Sequence, residues 1–110
     1  VTIQHKSLSS GGWQEMRFIE QMANTASEVE RSLKWKEKNN LPYAEKAIER
    51  ALELLDLTLE DPKNKPRLRE IARVRETLVD YFFGANEYGS SAATWQSYFS
   101  KFTFAARKSC

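Results

Sequence analysis

Cysteine and histidine, which carry much of the nucleophilic and metal-ligating chemistry of proteins, each occur once in these 110 residues. Cys110 has no second cysteine to join, so a disulfide framework is excluded and a reducing cytoplasm is the expected compartment. His5 stands in the opening stretch, far in sequence from any cluster of carboxylates. A strong charge of one sign is missing as well. The formal balance is +2 with 29% charged residues, which suits a soluble protein with a mixed surface and confines any nucleic-acid contact to a local patch. No apolar run approaches the roughly 20 residues that span a bilayer, and Val1 to Gly12 has no apolar core of a secretory signal. No membrane association is expected, and no repeat at a solenoid period is present.

What the chain does have is helical periodicity. Apolar residues recur at spacings of three and four in segments 13–38, 40–60, 64–83 and 91–108. Ile19, Met22, Ala26, Val29 and Leu33 form the first stripe, and Leu41, Ala44, Ile48, Ala51, Leu55 and Leu59 the second. Ile71, Val74, Leu78 and Phe82 form the third, and Trp95, Phe99, Phe102 and Ala106 the fourth. Asn39 and Asn40 end the first helix, Pro42 opens the second, and Asp61-Pro62 separates the second from the third. Asn64 is the expected cap of the third helix, Gly84 the left-handed residue that closes it, and Ser90 or Ser91 the cap of the fourth. The expectation is an all-α protein, an antiparallel up-down-up-down four-helix bundle over 13–110, preceded by a flexible arm over 1–12.

Two surfaces stand out. Aromatic residues crowd the end of the third helix, the connection after it and the fourth helix, more than one core can absorb. Phe83, Tyr88, Trp95, Tyr98 and Phe104 are therefore the candidate protein interface, for self-association as a homodimer or for another protein. Arg67, Arg69 and Arg73 are the candidate contact to nucleic acid, with Arg31, Lys34, Trp35 and Lys36 as a second patch. Glu76 and Asp80 share a ridge with Arg69 and Arg73, the pattern of a solvated face laced by weak pairs. Arg75 falls close to the buried stripe, with Glu49 or Glu53 as possible partners.

Enzyme classes fare poorly. A di-metal bundle wants inward carboxylates with Glu-x-x-His, which His5 does not supply. An all-α nucleotide pyrophosphohydrolase wants Glu-x-x-Glu before Glu-x-x-Asp; Glu53 and Asp56 match only the second half. Nothing brings Cys110 and His5 together as a nucleophile and base. No catalytic residue, cofactor or metal is expected. Gly84, Gly89, Ser90 and Ser91 resemble a small anion pocket at the start of the fourth helix, though a serine cap in a loop is the commoner meaning.

Ser7-Leu8-Ser9-Ser10-Gly11 with Trp13, Glu20-Gln21-Met22-Ala23-Asn24, Glu28-Val29-Glu30-Arg31, Glu49 to Asp56, Asp61-Pro62-Lys63-Asn64, Arg75-Glu76, Asp80-Tyr81-Phe82 and Trp95-Gln96-Ser97-Tyr98-Phe99 together resemble an uncharacterised family of short prokaryotic helical proteins. That resemblance covers almost the whole chain and implies a helical bundle without an assigned activity. In outline the chain is also similar to HEPN-type bundles, whose nuclease members carry Arg-x(4 to 6)-His on a late helix. No histidine follows an arginine here, so the similarity implies at most a nucleotidyltransferase partner. The sequence thus points to a non-enzymatic interaction protein, with nucleic-acid binding through the third helix as the alternative.

Overall fold

The computed structural model describes residues 12–108. His5, Cys110 and all of the expected arm except Gly12 lie outside the described residues. Within them the chain is all-α: α1 (Phe18–Glu37), α2 (Leu41–Glu60), α3 (Leu68–Phe83) and α4 (Ala92–Lys108), with two 3-10 turns at Trp13–Glu15 and Pro62–Arg67 and no strand. None of these helices is long and apolar enough to cross a membrane.

α1 packs along both α2 and α4, and α2 also packs on α3. Met22, Val29, Ile48, Leu55, Ile71, Leu78 and Phe99 form the centre of the resulting core. Each such side chain contributes about 1.5–3 kcal/mol by leaving water. Ala44, Ala47 and Ala51 are buried on α2, where their small size lets α1 approach closely. The aromatic end of the core is a chain of edge contacts, in which Phe18 meets Phe102 at 5.7 Å and Tyr98 meets Phe102 at 5.5 Å.

Helix boundaries follow local chemistry, and several differ from the periodicity. The first segment does not begin at Trp13: Met16 and Arg17 are extended, and α1 starts at Phe18, with Glu20 accepting the Arg17 amide at 3.0 Å. Asn39 takes a left-handed φ of 60° after α1, and Asn40 caps α2 by accepting from the Tyr43 amide. Asn64 is not a cap. It is buried inside the Pro62–Arg67 turn, and Asp61 caps that turn by accepting from the Lys63 amide. Gly84 is not left-handed either, with φ −106° and ψ −160°. Left-handed geometry falls instead on Asn86 (φ 55°) and Gly89 (φ 66°). A side chain at Gly84 would meet the Asp80 backbone at 3.0 Å, so close approach explains the glycine. Ser91 caps α4, its hydroxyl accepting from the Thr94 amide while Thr94 Oγ1 accepts the Ser91 amide.

A polar knot lies where Trp13, α1, the end of α2 and the 61–67 turn meet. Gln21 is fully buried; its Nε2 donates to the Trp13 carbonyl (2.9 Å) and to Asp61 Oδ2 (2.8 Å). Its Oε1 accepts from Asn64 Nδ2 at 2.8 Å, and Asn64 also donates to the Thr58 carbonyl. The Trp13 indole donates to Thr58 Oγ1 at 3.0 Å, and Lys63 joins Asp61 to the Gln14 carbonyl. Burial pushes the Asp61 carboxyl up, but hydrogen bonds from the Lys63 side chain, Gln21 and the Lys63 amide outweigh it and hold the group below its usual range. A carboxyl lowered in the folded state stabilises fully above its unfolded value of about 3.9 and loses that contribution as pH falls through the folded value. Urea midpoints should therefore change little through this group from neutrality to about pH 5 and fall below about pH 4. The Asp61→Asn variant should be less stable at neutral pH and show a shallower acid slope; an unchanged slope would mean that Asp61 does not govern it.

Candidate functional site

An open groove of about 350 Å³ lies between α3, the 84–91 connection and the start of α4. α3 offers Arg73, Val74 and Thr77 to it, spaced to share one helical face. α4 offers Thr94, Trp95 and Tyr98. The bulk of Trp95 and Tyr98 holds the two helices apart, and they meet chiefly through side chains: the Tyr98 hydroxyl donates to Glu70 Oε2 at 2.7 Å.

The connection is tied down by Asp80. Its carbonyl accepts the Gly84 and Asn86 amides, and its carboxylate accepts the Glu87 and Tyr88 amides at 2.9 and 3.1 Å. Asn86 then closes a small ring with Ser90, accepting its amide and donating to its carbonyl. Tyr88 is thereby aimed back at α3, where its hydroxyl donates to Glu76 at 2.8 Å and the Arg73 guanidinium lies 5.8 Å from its ring. Lys101 covers the Tyr98 ring at 4.5 Å.

The electrostatics follow. Burial, then the Glu70 hydrogen bond, raises the Tyr98 phenol far above its ordinary value. The Glu76 hydrogen bond raises Tyr88 as well. Both hydroxyls stay protonated and donate to carboxylates, so neither serves as a base or nucleophile near neutrality. Arg73 enters no ion pair among the described residues, because the carboxylates on its face are turned to the two tyrosines. Trp95 is 6% exposed and forms part of the groove wall, yet its indole Nε1 has no acceptor among the described residues. The groove thus sets a cation beside aromatic faces, with one buried indole donor lacking an acceptor behind its wall.

Comparisons of the chain with protein-family models, curated proteins and solved structures find no match. Geometry alone therefore bears on function.

Of the five candidate interface residues, Tyr88, Trp95 and Tyr98 converge on the groove. Trp95 belongs to the core wall rather than to an outer face, because its α4 stripe packs inward beside Phe99. Phe83 and Phe104 are 47% and 64% exposed and do not line the groove. The three arginines are dispersed in role. Arg67 lies 4.4 Å above the Phe18 ring, Arg69 is exposed, and Arg73 faces Tyr88. Arg75 pairs with Asp56 at 2.7 Å rather than with Glu49 or Glu53, and the pair is partly exposed, since the α2–α3 contact places Asp56 opposite it. Among the described residues, no three of His, Cys, Asp or Glu are grouped to hold a metal ion. Periodicity missed the engagement of Glu70 and Glu76 by tyrosines. The signal was the run Glu70, Arg73, Glu76 at steps of three, which puts a cation between two acceptors on one face.

Proposed function

We propose that this chain is a non-enzymatic, cytoplasmic interaction protein, an accessory subunit whose α3–α4 groove receives a segment of another protein carrying a carboxylate beside an apolar side chain. The frame we infer is the antiparallel up-down-up-down bundle. Support for it comes from Tyr98 reaching Glu70 while Trp95, a turn earlier on α4, shares the groove with Val74, a turn later on α3. In that register Phe83 lies about 20 Å along α3 from Glu70, and Phe104 about 9 Å beyond Tyr98 in the opposite sense. One compact contact does not bury both rings, so the groove rather than the pair of phenylalanines is the favoured contact.

The observation that carries the proposal is Arg73, in no ion pair among the described residues, set beside the Tyr88 ring in a groove walled by Val74, Trp95 and Tyr98, with the buried Trp95 indole N–H lacking an acceptor behind that wall. A buried donor without a partner costs about 1–3 kcal/mol, and a guanidinium recognises a carboxylate through directed hydrogen bonds. The titratable groups of the groove are a guanidinium and two phenols kept protonated, a binding rather than a catalytic set.

Selection from a display library of random dodecapeptides should enrich sequences with Asp or Glu beside an apolar residue, binding in the micromolar range. Arg73→Glu should weaken the enriched peptides by about tenfold or more without lowering the melting temperature appreciably. Peptides that bind the variant undiminished, or no enrichment at all, would overturn the assignment. Light scattering that shows a dimer dispersed by Phe104→Glu but not by Arg73→Glu would place the contact on a second copy of the chain instead.

A further inference from the structure

A second cleft, independent of the α3–α4 groove, lies across the hairpin of α1 and α2. Arg31 and Trp35 from α1 and Tyr43, Lys46 and Arg50 from α2 line a space of about 290 Å³. The turn that builds it is short and well capped. Asn39 turns left-handed, Asn40 caps α2, and the Trp35 and Tyr43 rings meet edge to face at 4.9 Å. Tyr43 remains 50% exposed although its partner ring is fixed, so an aromatic surface is held out to solvent beside cations.

The charge around the two rings is one-sided. Residues 31–50 carry Arg31, Lys34, Lys36, Lys38, Lys46 and Arg50 against Glu37, Glu45 and Glu49. Glu28 engages Arg31 at 3.1 Å and Arg50 at 4.0 Å, but Lys34, Lys36, Lys38 and Lys46 enter no ion pair among the described residues. Lys38 and Lys46 lie 5.4 and 6.0 Å from the Trp35 and Tyr43 ring centres. Lys38 at the end of α1, and Lys46 with Arg50 one turn apart on α2, therefore flank the ring pair from both helices, whereas Lys34 and Lys36 line a separate cleft beside Tyr81. The carbonyls at the end of α1, which would repel an anion, are occupied. Those of Lys34, Trp35 and Lys36 accept the amides of Lys38, Asn40 and Asn39.

We propose that the α1–α2 cleft binds single-stranded nucleic acid, with a base against Tyr43 and Trp35 and backbone phosphates on the flanking lysines and Arg50. A surface meant only for solvent needs cations but no ordered pair of rings among them. A duplex offers phosphates but keeps its bases stacked. A single strand supplies both the negative backbone and the open aromatic face that this arrangement fits.

The test uses fluorescence anisotropy with labelled dodecamers of oligo(U), oligo(dT) and a duplex, and with inorganic polyphosphate as competitor. Single strands should bind the intact chain at low salt, with log affinity falling against log salt by about 0.7 per phosphate contacted. Tyr43→Ala should weaken binding about tenfold or more at unchanged salt slope, and Lys46→Glu should lower the slope by about one contact. Arg69→Glu on α3 should change neither. Equal affinity of Tyr43→Ala for the strands, equal binding of duplex, or displacement by polyphosphate as effective as by single strands would reduce the cleft to a solvated basic face and overturn the proposal. Loss of binding with Arg69→Glu while Tyr43→Ala binds normally would move the site to α3 and overturn it equally. The Arg73→Glu variant, whose peptide binding tests the other groove, should bind the strands as well as the unmodified chain does.

Discussion

Gln21→Ala should lower the melting temperature by roughly 10–20 °C, far more than an exposed helical glutamine could account for. Gln21 makes three hydrogen bonds in a space with no access to solvent, to the Trp13 carbonyl, Asp61 and Asn64. Truncation removes one partner from each and opens a cavity. Each group keeps another partner, Met16 for the carbonyl, Lys63 for Asp61 and Thr58 for Asn64, so the loss is about 2–4 kcal/mol rather than the sum of three orphaned groups. At about 5 °C per kcal/mol for a chain of this length, the range follows. Gln21→Glu sharpens the test. It sets a second carboxylate against Asp61 in a buried site, so the introduced group is raised and the variant should regain part of its stability on mild acidification. The unmodified chain, with Asp61 lowered, gains nothing there. Circular dichroism melts at pH 7 and pH 5 decide the matter. A drop under about 3 °C for Gln21→Ala, or a Gln21→Glu variant indifferent to pH, would remove the polar knot from the account of stability.

The second large effect belongs to Trp13. It stands outside every α-helix, in a three-residue turn, yet is 1% exposed. Trp13→Ala should cost about 3–5 kcal/mol, as for other buried large aromatic residues. Trp13→Phe should cost about 1–2 kcal/mol, because most of the volume survives and the lost indole N–H leaves Thr58 Oγ1 short of a donor. Thr58 keeps its own bond to the Leu54 carbonyl, which limits the damage. Urea unfolding of both variants, with the Gln21→Ala double mutants, should show coupling, since Gln21 holds the Trp13 carbonyl. Additive losses, or a Trp13→Ala cost below about 1 kcal/mol, would mean that the segment before α1 is not docked as described.

The two predictions concern residues that periodicity ranked poorly. Stripes at three and four located Met22, Val29, Ile48, Leu55, Ile71, Leu78 and Phe99, all buried, because an amphipathic helix has one way to hide its apolar face. Gln21, Thr25, Ser32 and Thr58 are equally buried, and a polar residue reads as solvated until its partner is known. Thr25 and Thr58 satisfy themselves on carbonyls four residues back, whereas Gln21 depends on Asp61, 40 positions away. Conversely Leu41 and Leu68 sit on or beside the stripes but are 55% and 39% exposed, since the turns before α2 and α3 leave their first residues beyond the neighbouring helix. Gly84 misled for a related reason: glycine signals a left-handed cap or a close approach with equal force, and only the Asp80 backbone beside it distinguishes the two.

Local chemistry by itself determined that the described residues are all-α, that four helices divide them near Asn39, Asp61 and Gly84, and that the fourth opens on a serine cap at 90 or 91, which the structure places at Ser91. These are decided within a few residues by periodicity, proline and side chains that reach their own backbone. Tertiary structure alone decided which side chains meet. It buried Trp95 and left its indole without an acceptor among the described residues, turned Tyr88 onto Glu76 beside Arg73, paired Arg75 with Asp56, and set Trp35 against Tyr43 among lysines of two helices. Such contacts join residues that lie beyond one element, 12 positions apart for Tyr88 and Glu76 and 19 for Arg75 and Asp56, and no short-range pattern encodes which faces meet.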